Sequence, residues 1–275
     1  MTYPCFFDCG EPGDSTKRKL YLNVADGFYH CKVCGVSGGS WMLQKHFGDE
    51  PRVGSNDDAF MRRRILDSAA QVGITMLTNN DDALLYLLNE RGLSAETIAA
   101  RKLGFVAGGW SLVGQLPEDV TAAQIMTTGL VTREGPHAGK DFFYRHLLIP
   151  YLARGHVIQM RGRAWGDIKG GKYLTGPGEP PRVYNSESLD GADEVIITEG
   201  EFDCMILAQV LAVAPEERAR RIAVISLPGT NAIPEELEDV LAAAKRIFIG
   251  FDNDEPGKKA AESLKERLGT RARVL

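Results

Sequence analysis

The 275-residue sequence has no unbroken apolar run of the roughly 18–20 residues that a membrane-crossing helix needs, so no membrane span is expected. Its first residues, MTYPCFFDCG, lack the basic stretch and apolar core of a secretory signal, which points to a reducing cytoplasm. An excess of positive charge is also missing. With 37 acidic against 32 basic residues the net charge is −5, which argues against a globally basic nucleic-acid binder but leaves room for a local basic groove. Cysteine is scarce, with five in the chain. What is present, 44% hydrophobic and 25% charged residues, reads as a soluble globular chain of one large domain or two smaller ones.

Four of the five cysteines, Cys5, Cys9, Cys31 and Cys34, fall within the first 34 residues. Their spacing is C-x3-C, 21 residues, then C-x2-C. Two close pairs held apart by a strand-rich insert suit a zinc ribbon over 1–48, because four thiolates complete the tetrahedron that Zn²⁺ prefers and each pair supplies one edge of it. Two disulfides or four free thiols are the other readings of the same residues, and the reducing compartment weighs against the first. Gly10 and Gly35 follow the second cysteine of each pair, where a tight knuckle wants a small residue. Between the pairs, KLYLNVADGFYHC alternates as a β-hairpin does, with Asp26–Gly27 at its turn. Asp8, His30 and His46 lie nearby, but thiolate is the softer ligand. Cys204 stands alone in an apolar stretch and reads as core.

Residues 49–60, DEPRVGSNDDAF, read as a linker. Beyond it, DDALLYLLNERGLSAETIAARKLGF predicts a helical hairpin, with Leu84, Leu87 and Leu88 on one face, Gly92 as a helix stop and Ser94 as the next N-cap. HLLIPYLARGHVIQMRGRAW predicts two strands joined at Arg154–Gly155. Between residues 140 and 182, eight basic residues stand against three acidic ones. Arg161 and Arg163 share one face of a strand, and GDIKGGKYLTGPGEP is a glycine-rich basic loop. Together they suit a phosphate track, although a solvated strand face would look the same.

From residue 193 onward, Val/Ile-rich strands alternate with amphipathic helices, which implies a parallel sheet covered on both faces. Two of these strands run into acids: Glu199 with Asp203 after one, Asp252 and Asp254 after the other. Ligand sites in such sheets lie at the carboxyl ends of the strands. Carboxylates crowded there repel, and a cation relieves the repulsion. Oxygen-only ligands favour Mg²⁺ or Mn²⁺. Taken singly, Asp254 or Glu255 suits a helix cap and Asp203 suits the positive end of a helix dipole.

TEGEFD followed by FDND, with ISLPGTNA between them, resembles the TOPRIM signature of a glutamate after one strand and Asp-x-Asp after a later one. With the cysteine pairs and GFYHCKVCGVSGG, then YLLNERGLSAETIAARKLGF, then YRHLLIP, GRAW and KYLTGP in that order, the chain resembles bacterial-type (DnaG-family) DNA primases. The resemblance is greatest to the primase portions of bacteriophage primases and primase–helicases. It covers nearly the whole chain and implies an α/β multidomain fold: a zinc ribbon at 1–48, a linker at 49–60, a mixed α+β basic subdomain at 61–191 and a TOPRIM subdomain at 192–275. It implies RNA primer synthesis on single-stranded DNA from ribonucleoside triphosphates, with one structural Zn²⁺, a catalytic Mg²⁺ or Mn²⁺, a replicative helicase as partner and, for a phage protein, a host bacterial cytoplasm. Glu199, Asp203, Asp252 and Asp254 would be the catalytic acids, with Glu199, Asp252 and Asp254 on the metal. Arg145, Arg161, Arg163 and Lys172 would face the template and nucleotide. The family's KYLNSP reads KYLTGP here, which puts Thr175 where an asparagine is usual. The family also carries a third acidic element beyond the strand that RARVL begins, so a shortened primase portion is expected. The rival classes are a non-catalytic single-strand binding module and a TOPRIM nuclease or topoisomerase fragment. A topoisomerase needs a nucleophilic tyrosine that no stretch of this sequence marks.

Overall fold

The computed structural model describes residues 2–3, 20–22, 29–31, 37–38, 56–166, 171–213, 221–229, 234 and 237–275. The chain divides into two compact units, 1–64 and 65–275. In the first, strands β1 (Thr2–Tyr3), β2 (Leu20–Leu22), β3 (Tyr29–Cys31) and β4 (Ser37–Gly38) form one antiparallel sheet in that order. The expected hairpin is there: Leu20 faces Cys31 and Leu22 faces Tyr29. The zinc expectation falls on Cys5, Cys9 and Cys34, which lie outside the described residues, as does the Asp26–Gly27 turn. Of Cys31 the backbone is described, in β3.

Helix α1 (Asn56–Thr78) takes in the last residues of the stretch expected as linker. An Asn-Asp-Asp start suits a helix N-terminus, where negative charge meets the positive end of the dipole. The helical hairpin follows as expected. Helix α2 (Asp81–Leu85) is capped by Asn80, whose Oδ1 accepts from the Ala83 N–H at 3.0 Å. Helix α3 (Ala95–Ala100) is capped by Ser94, whose Oγ accepts from the Thr97 N–H at 3.1 Å. Between them the chain widens into a π-helical turn, Tyr86–Glu90, which ends at Arg91. Such widened turns are uncommon and cluster at functional sites.

Strands β5 (Gly104–Val106), β6 (His146–Ala153), β7 (His156–Ala164) and β8 (Tyr173–Thr175) form an antiparallel sheet in that order. The short helix α4 (Ala122–Met126) lies between β5 and β6 in the chain. Arg154 and Gly155, both at positive φ (53° and 75°), make the tight β6–β7 turn. The parallel sheet is built from β9 (Glu194–Thr198), β10 (Ile222–Ser226), β11 (Arg246–Gly250) and β12 (Ala272–Val274), ordered β10-β9-β11-β12. Both faces are covered, and the strand alternation shows how. Ala223 and Ile225, with Val195, Ile197, Ile247 and Ile249, pack on Leu237 of the short helix α6 (Leu237–Val240), on Leu241, and on Ala261, Leu264 and Leu268 of α7 (Glu255–Leu268). Val224 between them points the other way, into Phe202, Cys204 and Met205 of α5 (Glu201–Ala212) and into Leu147, Ile149 and Tyr151 of β6. The two sheets therefore share one apolar core, in which Cys204 is fully buried. Among the described residues no helix is long and apolar enough to cross a membrane.

Candidate active site

Register sets the site. Thr198, the last residue of β9, lies beside Ser226 on one side and Gly250 on the other, so the parallel strands end level. The next residues on the chain are Glu199 and, after Phe251, Asp252. The Asp252 N–H donates to Glu199 Oε2 at 3.1 Å and ties the two strand ends together. Gly200 is the N-cap of α5, and Asp203 sits in its first turn. Burial, then the charge of Asp252, pushes the Asp203 carboxyl above its usual range. Glu199, Asp203 and Asp252 line one cleft of about 360 Å³, together with Arg91, Arg161, Lys172, Tyr173 and Glu201.

Asp254, grouped with these acids in the sequence, is placed differently. It is the N-cap of α7, with Oδ1 accepting from the Gly257 N–H at 2.7 Å, and it is not among the residues lining the cleft. A Cβ on Gly257 would lie 2.2 Å from the Asp252 carbonyl oxygen, so the turn that presents Asp252 closes only over a glycine.

Arg161 and Arg163 do share a face of β7, and both guanidinium groups are engaged by protein partners there. Arg161 is 7% exposed. Its Nη1 pairs with Glu201, and its Nε donates to Thr175 Oγ1 at 3.1 Å. Glu201, 2% exposed, also accepts from the Tyr151 hydroxyl at 2.7 Å. Thr175 thus has a partner of its own in this chain. Arg163 donates from Nη1 to the Tyr86 hydroxyl, and its guanidinium lies 5.2 Å from the Tyr86 ring centre and 5.6 Å from that of Phe202. Arg91 approaches the same two rings, at 5.3 and 5.0 Å, and its Nε donates to the same hydroxyl at 2.6 Å. Lys172 lines the cleft, whereas Arg145 is not among the lining residues. Sequence reading missed Arg91, Glu201 and Tyr173. Glu201 was legible as the middle acid of TEGEFD, but helix spacing alone gave it no role. Arg91 reaches the site through the π-helical turn, which leaves no periodic signature.

The donor set fits a hard divalent cation, since carboxylate oxygens are what such ions take. It is not a ready-made cage: among the described residues no three His, Cys, Asp or Glu side chains close around one point. Mg²⁺ commonly binds through one or two carboxylates and completes its shell with water and substrate phosphates, and three carboxylates on one cleft wall suffice for that.

Residues 74–185 match the family described as the N-terminal domain of the DNA primase catalytic core, and residues 196–275 match the Toprim-like family. A DNA primase of Pseudomonas putida is 32% identical over 233 residues, covering 77% of this chain and 34% of its own length. The chain thus spans about a third of the length of that curated relative. The crystal structure of the zinc-binding and RNA polymerase domains of Aquifex aeolicus primase superposes with a TM-score of 0.67 at 20% identity, over 94% of this chain and 69% of that one. The catalytic domain of a DnaG primase, solved bound to single-stranded DNA, superposes with a TM-score of 0.60 at 22% identity, over 76% and 67%. With catalytic-core and Toprim segments in this order and a primase relative aligned over three-quarters of this chain, the chain belongs to the DnaG-type DNA primase family.

Proposed function

We propose that this chain polymerises ribonucleotides on a single-stranded DNA template, joining a 3′-hydroxyl to the α-phosphorus of a ribonucleoside triphosphate with release of pyrophosphate. One observation carries the reading: the acids at the ends of β9 and β11 line the same cleft as Arg91, Lys172 and Tyr173. Acidic and cationic groups in one cleft suit a metal–triphosphate, which carries both signs of charge. Glu199, Asp203 and Asp252 would hold Mg²⁺ or Mn²⁺. When bound, such an ion supplies positive charge to the phosphates and lowers the pKa of the attacking hydroxyl. Lys172 and Arg91 neutralise and orient the phosphates. Arg91 is the better fixed of the two, because its guanidinium is stacked on Tyr86 and Phe202. Tyr173, whose hydroxyl burial and the charge of Glu201 hold in the neutral form, offers a donor in the same cleft.

For the template, two exposed aromatics support the reading. Trp110 is 56% and Tyr144 55% exposed. A Cβ on Gly108 would collide with the Tyr144 ring at 2.0 Å, and one on Gly139 would meet the Trp110 ring at 3.4 Å. Each ring therefore rests against glycine backbone and leaves surface open on which an unstacked base can sit. Arg145 follows Tyr144 directly and supplies charge for the adjoining phosphates. The thiolates of Cys5, Cys9, Cys31 and Cys34 would hold one zinc, on the strength of their spacing. A replicative helicase, in the same chain or separate, is the partner this activity implies.

Ribonucleotide incorporation on short single-stranded templates, with and without Mg²⁺, tests the proposal. The expected result is a ladder of short RNA products that needs both template and metal. Template binding with no product at any Mg²⁺ or Mn²⁺ concentration would leave a binding module instead.

A further inference from the structure

The buried pair Arg161–Glu201 is the feature of the cleft that phosphate binding and metal binding leave unexplained. Its two halves come from different layers of the fold, one from a sheet and one from a helix. Arg161 lies in the antiparallel sheet, opposite Ile149 on β6 and Thr175 on β8. Glu201 opens α5, directly after the β9 strand end. Both side chains are almost wholly buried, at 8% and 2% exposure. The Tyr151 hydroxyl and Thr175 Oγ1 complete the set, and Arg161 lies over the Tyr173 ring with its guanidinium carbon 5.5 Å from the ring centre. Buried ions of opposite sign this well partnered form a unit that is nearly neutral. Removing one partner leaves a charge that has neither water nor a counter-ion.

We propose that Glu201 is a positioning residue: clamped by Arg161 and Tyr151, it pins the first turn of α5 to the antiparallel sheet and so fixes Glu199 and Asp203, two residues to either side, against Asp252. The inference rests on the metal-dependent reading of the cleft given above. It departs from the two simpler assignments, Glu201 as a metal ligand and Arg161 as a phosphate contact. Geometry favours the strut. Glu201 Oε1 already accepts from two donors, and the Arg161 guanidinium is engaged at both Nη1 and Nε. The strut also accounts for Thr175, whose hydroxyl serves Arg161.

Calorimetric Mn²⁺ titration of the full chain separates the three assignments, using Glu201→Gln, Arg161→Gln and the double variant. A strut broken from either end is the same broken strut. Each single variant should therefore lose about tenfold in Mn²⁺ affinity, a size typical of residues that orient ligands without touching the metal, and the double variant should lose no more than either. If Glu201→Gln weakens binding while Arg161→Gln leaves it equal or tighter, Glu201 is itself a ligand and the proposal is overturned. No change in either variant overturns it as well. Tyr151→Phe guards against unfolded variants, because it removes one hydroxyl from a residue that does not line the cleft. It should lower Mn²⁺ affinity about threefold, the size of one lost hydrogen bond and less than the loss of either ion-pair partner, and lower kcat with the ribonucleotide KM held within about twofold. Unchanged Mn²⁺ affinity in folded Tyr151→Phe counts against the strut. Failure of wild-type protein to bind Mn²⁺ would overturn the metal reading along with this one. Mn²⁺ binding without primer synthesis would overturn the priming reading alone.

Discussion

Asp252 and Asp254 stand two residues apart, yet the structure gives them separate surroundings. Asp252 lines the cleft and bonds through its N–H to Glu199, while Asp254 closes the first turn of α7. Their substitutions should therefore divide. Asp254→Ala removes an N-cap and should cost about 1 kcal/mol of stability, measured by denaturant unfolding, with Mn²⁺ affinity within about twofold of wild type. A loss of Mn²⁺ affinity as large as that of Asp252→Asn would return Asp254 to the metal set that the Asp-x-Asp pattern implied. The pattern itself could not decide this. A carboxylate before Glu-Pro-Gly serves equally as cap and as ligand, and the outcome depends on how the chain turns over Gly257.

Among elements, the legible ones were those whose residues carry a period. The β6–β7 hairpin, the Ser94-capped helix and the alternation of strands with helices from residue 193 all appear where the pattern places them. What the pattern could not supply was pairing between distant elements. Two arginines spaced i, i+2 on β7 look like an open basic face, because nothing local announces their partners, Glu201 of α5 and Tyr86 of the π-helical turn. In the first unit the β2–β3 pairing puts Cys31 on an inner strand of the small sheet. Protein purified without chelator should carry about one equivalent of zinc, and Cys31→Ser should release it while residues 65–275 keep their thermal transition, since structural zinc is itself folding free energy. Less than half an equivalent of zinc in wild-type protein would remove the ribbon reading.

At the scale of the whole molecule, the parallel and the second antiparallel sheet, both in residues 65–275, share one core, and both contribute to the lining of the cleft. The parallel sheet brings the acids and the antiparallel sheet brings Arg161, Lys172 and Tyr173, with Arg91 arriving from the helical hairpin. Neither half makes a site alone, which is why the residues of the cleft are scattered from position 91 to position 252. The acidic half was readable because strand ends in a parallel sheet point to one edge. The cationic half was readable only as composition.

The claim that this cleft is a nucleotidyl-transfer centre is tested most directly by primer synthesis in Asp252→Asn beside wild type, on one template at saturating Mg²⁺. The substitution keeps the side chain's shape and the backbone N–H that bonds Glu199. If the cleft acids hold the metal, synthesis should fall by about a hundredfold or more while template affinity stays within about twofold, because charge at the reacting phosphates is what the metal supplies. Synthesis at the wild-type rate by folded Asp252→Asn would contradict the account and move the chemistry away from the strand ends.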